Sequence, residues 1–152
     1  MDEIALPIAV EPSEWFVVFH TRSTSKPLSA LACGRFKHVS AFGYYAGFKA
    51  WLVYDAQISG LRIPLISTDA APAVLGAYTK NCVLVKFRRR DEPIGIAPTS
   101  RFGFYCVPAI KHLLGVRCLA LRPDALYRHI LRNGGVVIDG SAENPHRPEP
   151  RD

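Results

Sequence analysis

The segment RFGFYCVPAIKHLLGVR (residues 101–117) puts a cysteine where an aromatic-rich run turns into a helix. Pro108 follows Cys106 by two residues and suits a first helical turn, because its missing N–H has no intrahelical partner there. A thiol at a helix N-terminus lies in the positive end of the helix dipole and ionises more readily. Thiolate chemistry also needs a base to take the proton and a group to orient that base. Cys106 is therefore a candidate nucleophile, with a buried helix start as the alternative reading.

Five histidines could supply the base. His146 falls in a polar tail and His129 among the charged residues of a second helix, so both read as surface. His112 lies six residues beyond Cys106 on the same helix, roughly 120° around its axis, and cannot reach it. His20 ends the run EWFVVFH and reads as an ordinary strand-end residue. His38 remains. FKHVSAFGYY (36–45) and FKAWLVYDAQ (48–57) are strand-like runs around Ala46-Gly47, and a tight hairpin there pairs residues whose numbers sum to 93. That register sets His38 opposite Asp55, on one face, with Cβ atoms ~4.5–5.5 Å apart. A carboxylate so placed accepts the Nδ1–H of the imidazole, fixes its tautomer and leaves the other nitrogen to a thiol. A three-residue loop with a bulge would oppose Tyr54 instead.

The elements that must hold these side chains follow from periodicity. Strands are expected over 14–22, 36–45, 48–57, 61–67 and 81–89, the fourth carrying Pro64 as the mark of a sheet edge or bulge. Residues 71–79 are ambiguous, with one or two helical turns as one reading. A short helix runs from about Val107 to Leu114 and ends at Gly115. A clearer one occupies 122–135, opened by Pro123, striped by Leu126, Ile130 and Leu131, and closed by Asn133-Gly134. Residues 135–139 read as a last strand. Strands first and helices later point to an α+β fold, an antiparallel meander packed against a central short helix and a second, C-terminal one.

Composition narrows the class. At 152 residues the chain suggests one domain, over 1–140, followed by a polar tail (141–152) whose three prolines predict disorder. No apolar run reaches the ~20 residues a bilayer span needs. The acidic start MDEIALPIAV lacks the basic region of a signal peptide. Cysteines 33, 82, 106 and 118 show no CxxC pair and no zinc spacing, so free thiols in a reducing cytoplasm, with no metal or other cofactor, are expected. The net charge of +6 suits an anionic partner, but its densest run, Lys86 to Arg90, is followed at once by Asp91 and Glu92. A nucleic-acid-binding module would group its cations and exposed aromatics on one face. Trp15, Phe16, Phe42, Tyr44 and Trp51 instead fall in strands, where core is the better assignment, so this reading ranks third.

The order of parts, FKHVSAFGYY and AWLVYDAQ first and FYCVPAIKHLLG later, resembles the circularly permuted papain-like families, among them lecithin retinol acyltransferase-like proteins and permuted relatives of the NlpC cell-wall peptidases. The patterns H-V-x-x-F (from His38) and C-V-x-x-x-K-x-x-L-G (from Cys106) also look like those of small phage or prophage proteins. The resemblance covers roughly residues 14–135. It implies Cys106 as nucleophile, His38 as general base, Asp55 as orienting residue and the Cys106 N–H as one oxyanion donor. A second donor is missing from the pattern, since no glutamine precedes Cys106 and Gln57 lies on a strand. The implied substrate is a peptide or acyl group, with peptidoglycan or a host protein as candidates and the virion as one location. The rival expectation is a virion or tail component that keeps the scaffold for assembly with other phage structural proteins and carries out no chemistry.

Overall fold

The computed structural model describes residues 12–22, 34–57, 59–90 and 105–138. Over the described residues the fold is α+β, a seven-stranded antiparallel sheet with three α-helices. The strands are β1 (Glu14–His20), β2 (His38–Tyr45), β3 (Ala50–Gln57), β4 (Gly60–Arg62), β5 (Leu65–Ser67), β6 (Cys82–Arg88) and β7 (Val136–Val137). The helices are α1 (Ala71–Tyr78), α2 (Cys106–Leu114) and α3 (Pro123–Arg132). The proposed tail, residues 91–100, Cys33 and His146 lie outside the described residues.

The order β4-β3-β2-β1-β6-β7 is a meander only at first. After β5 the chain passes through α1, which resolves the ambiguous 71–79 as a helix, and β6 then pairs with β1 on the side away from β2. β1 is thereby central and joins residues distant in sequence: His20 pairs with His38 on one side and with Cys82 on the other. The expected strand over 61–67 is interrupted at Ile63-Pro64. Its halves keep one register against β3, and the Pro64 carbonyl still accepts the Val53 N–H at 3.0 Å. Proline has no N–H for a ladder and is tolerated here because the strand is at the edge.

The β2–β3 register differs from the expected one. A 3₁₀ turn over Ala46–Phe48 and Lys49 in the left-handed region (φ 48°) make a wider loop than Ala46-Gly47 alone. Tyr45 pairs with Ala50 and Ala41 with Tyr54, so paired numbers sum to 95 rather than 93. A slip of two residues preserves the face on which each side chain stands, whereas a slip of one would have reversed it. Tyr54 packs against the larger core instead of replacing Asp55.

Alternation along β1 divides the core between the two faces of the sheet. Trp15, Val17 and Phe19 join Ile110, Leu114, Leu126 and Ile130 of α2 and α3 in the larger cluster. Val18, with Phe42, Val53 and Cys82, packs toward Leu75 and Tyr78 of α1. Fully burying a side chain such as Ile110 or Leu114 contributes about 1.5–3 kcal/mol, and these two fix α2 on the sheet.

Both ends of α2 have an identifiable cause. Tyr105 is extended (φ −140°, ψ 177°) before the first turn. Gly115 adopts φ 66° and closes the helix, with the Val116 N–H bonded to the Lys111 carbonyl at 2.9 Å. A Cβ at position 115 would overlap the Arg90 carbonyl oxygen. Gly115→Ala is expected to destabilise the protein by roughly 1–3 kcal/mol in urea denaturation, from the left-handed backbone and the displaced carbonyl. An unchanged midpoint would contradict this origin of the helix end. At α3, Asp124 reaches back to accept the N–H groups of Arg35 (3.0 Å) and Phe36 (3.2 Å), which anchors the chain immediately before His38.

Candidate active site

His38 is the first residue of β2, so its ring stands at the end of the sheet rather than deep within a face. Its Nε2 is 2.7 Å from Asp55 Oδ1, and the two side chains retain 20% and 11% of their exposure. The amide of Gln57 donates to the other carboxylate oxygen of Asp55 at 2.8 Å. Cys106, half-buried at the start of α2, lies near enough to His38 to help raise its pKa. The three residues singled out in the sequence are thus brought together, in the order Cys106–His38–Asp55, with Gln57 behind.

Two details differ from the sequence expectation. Asp55 engages Nε2, not Nδ1, which leaves Nδ1 as the nitrogen for proton exchange with the thiol. In addition, the contact is not between directly opposed residues: continuing the observed register sets Asp55 across from Ser40, and His38 reaches it diagonally.

Burial pulls the His38 pKa down, but its hydrogen bond to the Asp55 carboxylate, followed by its interaction with the Cys106 side chain, outweighs it and raises it from 6.5 to about 9. Burial alone would raise the carboxyl of Asp55, yet its bonds to His38 and Gln57 hold it below its ordinary value. The imidazolium–carboxylate pair is therefore the favoured state at neutral pH.

A second group, not foreseen from sequence, adjoins the first. The His20 ring lies 5.3 Å from that of His38, centre to centre. Its Nε2 is 2.8 Å from Ser40 Oγ and its Nδ1 is 3.2 Å from Cys82 Sγ. Tyr78 of α1 donates its hydroxyl to Ser40 Oγ at 2.7 Å. Burial first, and the positive charge of His38 second, depress His20 to about 4 and so keep it neutral. Burial pushes the Cys82 thiol up. His20 is thus a fixed, uncharged wall beside the charged His38. The available signal was period two: His38 and Ser40 are polar neighbours on one face of β2.

The two histidines give opposite pH dependences of stability. His38 holds its proton more tightly folded than unfolded, so its contribution is complete below pH 6.5 and is lost as pH rises through about 9. His20 resists protonation when folded, so its contribution is present above pH 6.5 and is lost as pH falls toward about 4. Each flank is expected to cost roughly 1–3 kcal/mol. Thermal denaturation across this range should show the alkaline loss in the wild type and not in His38→Gln. An alkaline flank of equal size in both would contradict the assignment.

Among the described residues, no group of three or more His, Cys, Asp or Glu side chains is placed to hold a metal ion. No described helix is long and apolar enough to cross a membrane. The chain finds no match among protein-family models, curated proteins or solved structures.

Proposed function

We propose that this chain is a thiol-dependent hydrolase or acyltransferase acting on amides or esters, with a permuted papain-like arrangement of parts. The observation that carries the reading is the continuous Cys106–His38–Asp55 chain at the start of a helix. In the reactive state the Cys106 proton already rests on His38 Nδ1 as a thiolate–imidazolium pair, and the thiolate sulfur attacks the substrate carbonyl carbon. The oxyanion formed faces the start of α2, where the first helical hydrogen bond is made by the Ala109 N–H. The N–H groups of Cys106 and Val107 precede that bond, and Pro108 has none, so these two are the oxyanion donors we assign. Collapse of the tetrahedral species breaks the bond to the leaving group, which takes the proton from His38. A water or an amine then attacks the thioester carbon, giving its proton to His38; the C–S bond breaks, the acid or amide product leaves, and the Cys106 thiolate is restored beside the imidazolium.

The phage-like sequence patterns extend the proposal to a peptide of the bacterial wall or a host protein as substrate, and to a protein made in the cytoplasm and carried in a virion. One observation favours the second reading, a scaffold retained for assembly: the Gln57 amide is committed to Asp55 and is not available to an oxyanion. Incubation with p-nitrophenyl acetate, acid quenching and peptide mass spectrometry separate the two. An acetyl group on the Cys106 peptide, absent in His38→Ala, is the expected result. Acetylation confined to other residues, or none, would exclude the thioester route.

A further inference from the structure

We propose that the open pocket between the 116–122 segment and α3 is a binding site for a phosphate-type oxyanion. The pocket, of about 260 Å³, is lined by Cys118, Leu119 and Ala120 on one side and by Arg128, His129 and Arg132 on the other. None of these belongs to the Cys106–His38–Asp55 group, so the inference stands apart from the proposed chemistry.

Three observations point to an anion. Arg128 and Arg132 are one turn apart on α3, both exposed, and among the described residues no carboxylate forms a salt bridge with either. Two guanidinium forks at that spacing match the oxygens of a tetrahedral phosphate. Behind the pocket wall, Lys111 of α2 is only 7% exposed, and its ammonium donates to the Ala120 carbonyl at 3.3 Å. Among the described residues this ammonium has one neutral acceptor and no paired acid; such burial is costly, and a nearby anion would offset that cost. His129 senses two of these cations: burial first, then Arg90, Lys111 and Arg132, lower its pKa. The nearby Asp124 carboxylate is turned away, toward the Arg35 and Phe36 amides.

The same oxyanion chemistry is presented by free phosphate and by the headgroup of an anionic lipid. Leu119, 96% exposed, lines the pocket with the cations and would suit the second source, since an exposed leucine can enter a bilayer surface. The test uses the full chain, with inorganic phosphate followed by calorimetry against sodium chloride of matched ionic strength. In parallel, flotation is measured with phosphatidylcholine vesicles with and without phosphatidic acid. Saturable phosphate binding, weakened at least tenfold in Arg128→Gln/Arg132→Gln, supports the site with free phosphate as its source. Vesicle binding that requires both phosphatidic acid and the two arginines, without a phosphate response, supports it with the lipid as source. No binding in either arm, or binding of equal strength in the double variant, overturns the proposal. Because both arginines are exposed, the double variant should fold. Lys111→Met supplies an independent check: with the uncompensated charge removed, it should melt above the wild type in phosphate-free buffer, and melting below it would contradict the anion-seeking role of Lys111.

Discussion

Replacing His38 with alanine is expected to slow alkylation of Cys106 at pH 6.5 by roughly 10- to 100-fold. An ordinary thiol is only about 1% ionised at that pH, whereas a thiol that has passed its proton to a neighbouring imidazole reacts as the thiolate. A thiolate formed this way is a somewhat weaker nucleophile, which sets the lower bound of the range. His38 is suited to hold the proton because Asp55 and Cys106 together keep its pKa near 9 against the opposing effect of burial. Cys82 provides an internal control. It is buried, its thiol is pushed up, and it reacts only if the sheet opens. A Cys106 rate unchanged in the variant while Cys82 stays protected would remove His38 from the mechanism.

Asp55→Asn should produce the second large effect, a fall in the His38 titration midpoint from about 9 toward its ordinary 6.5 or below. The amide keeps the shape and can still accept the Nε2–H, but it withdraws the negative charge that holds the imidazolium. Burial, which acts in the opposite direction, is left less opposed. At pH 7 the substitution is expected to cost roughly 1–3 kcal/mol, below the range for fully buried pairs because both side chains keep some contact with solvent. Ring-proton NMR shifts of His38 across pH 4–10 measure the midpoint directly. A midpoint still near 9 would mean that Asp55 is not the group that charges His38.

The site was legible in sequence to the extent that its parts depend on residue type and strand parity. Cys106 was found from the change of an aromatic run into a helix, and His38 and Asp55 from a hairpin centred on Ala46-Gly47. The register was wrong by two because Lys49 adopts a left-handed conformation that the Ala46-Gly47 pattern does not announce. His38 and Asp55 still meet because an even slip leaves both side chains on their original face. The orientation of the His38 ring was not legible, since the choice between Nδ1 and Nε2 depends on a diagonal contact and not on the pairing of residues. His20 was read as an ordinary strand end for a deeper reason. Its environment is made by β6, which is 62 residues away in sequence at Cys82 and reaches β1 only after the chain has passed through α1. No local pattern encodes that crossover. The α+β class, by contrast, needed only the order of the periodic segments.

The most direct test of the central claim is the alkylation rate of each of the four cysteines of the wild-type protein as a function of pH, resolved by peptide mass spectrometry. Cys106 should react at pH 6 while the other three remain silent, and its advantage should shrink as pH rises and ordinary thiols ionise. A Cys106 that follows the other cysteines across the whole range, or reacts only after the protein unfolds, would make RFGFYCVPAIKHLLGVR the start of a packed helix and nothing more.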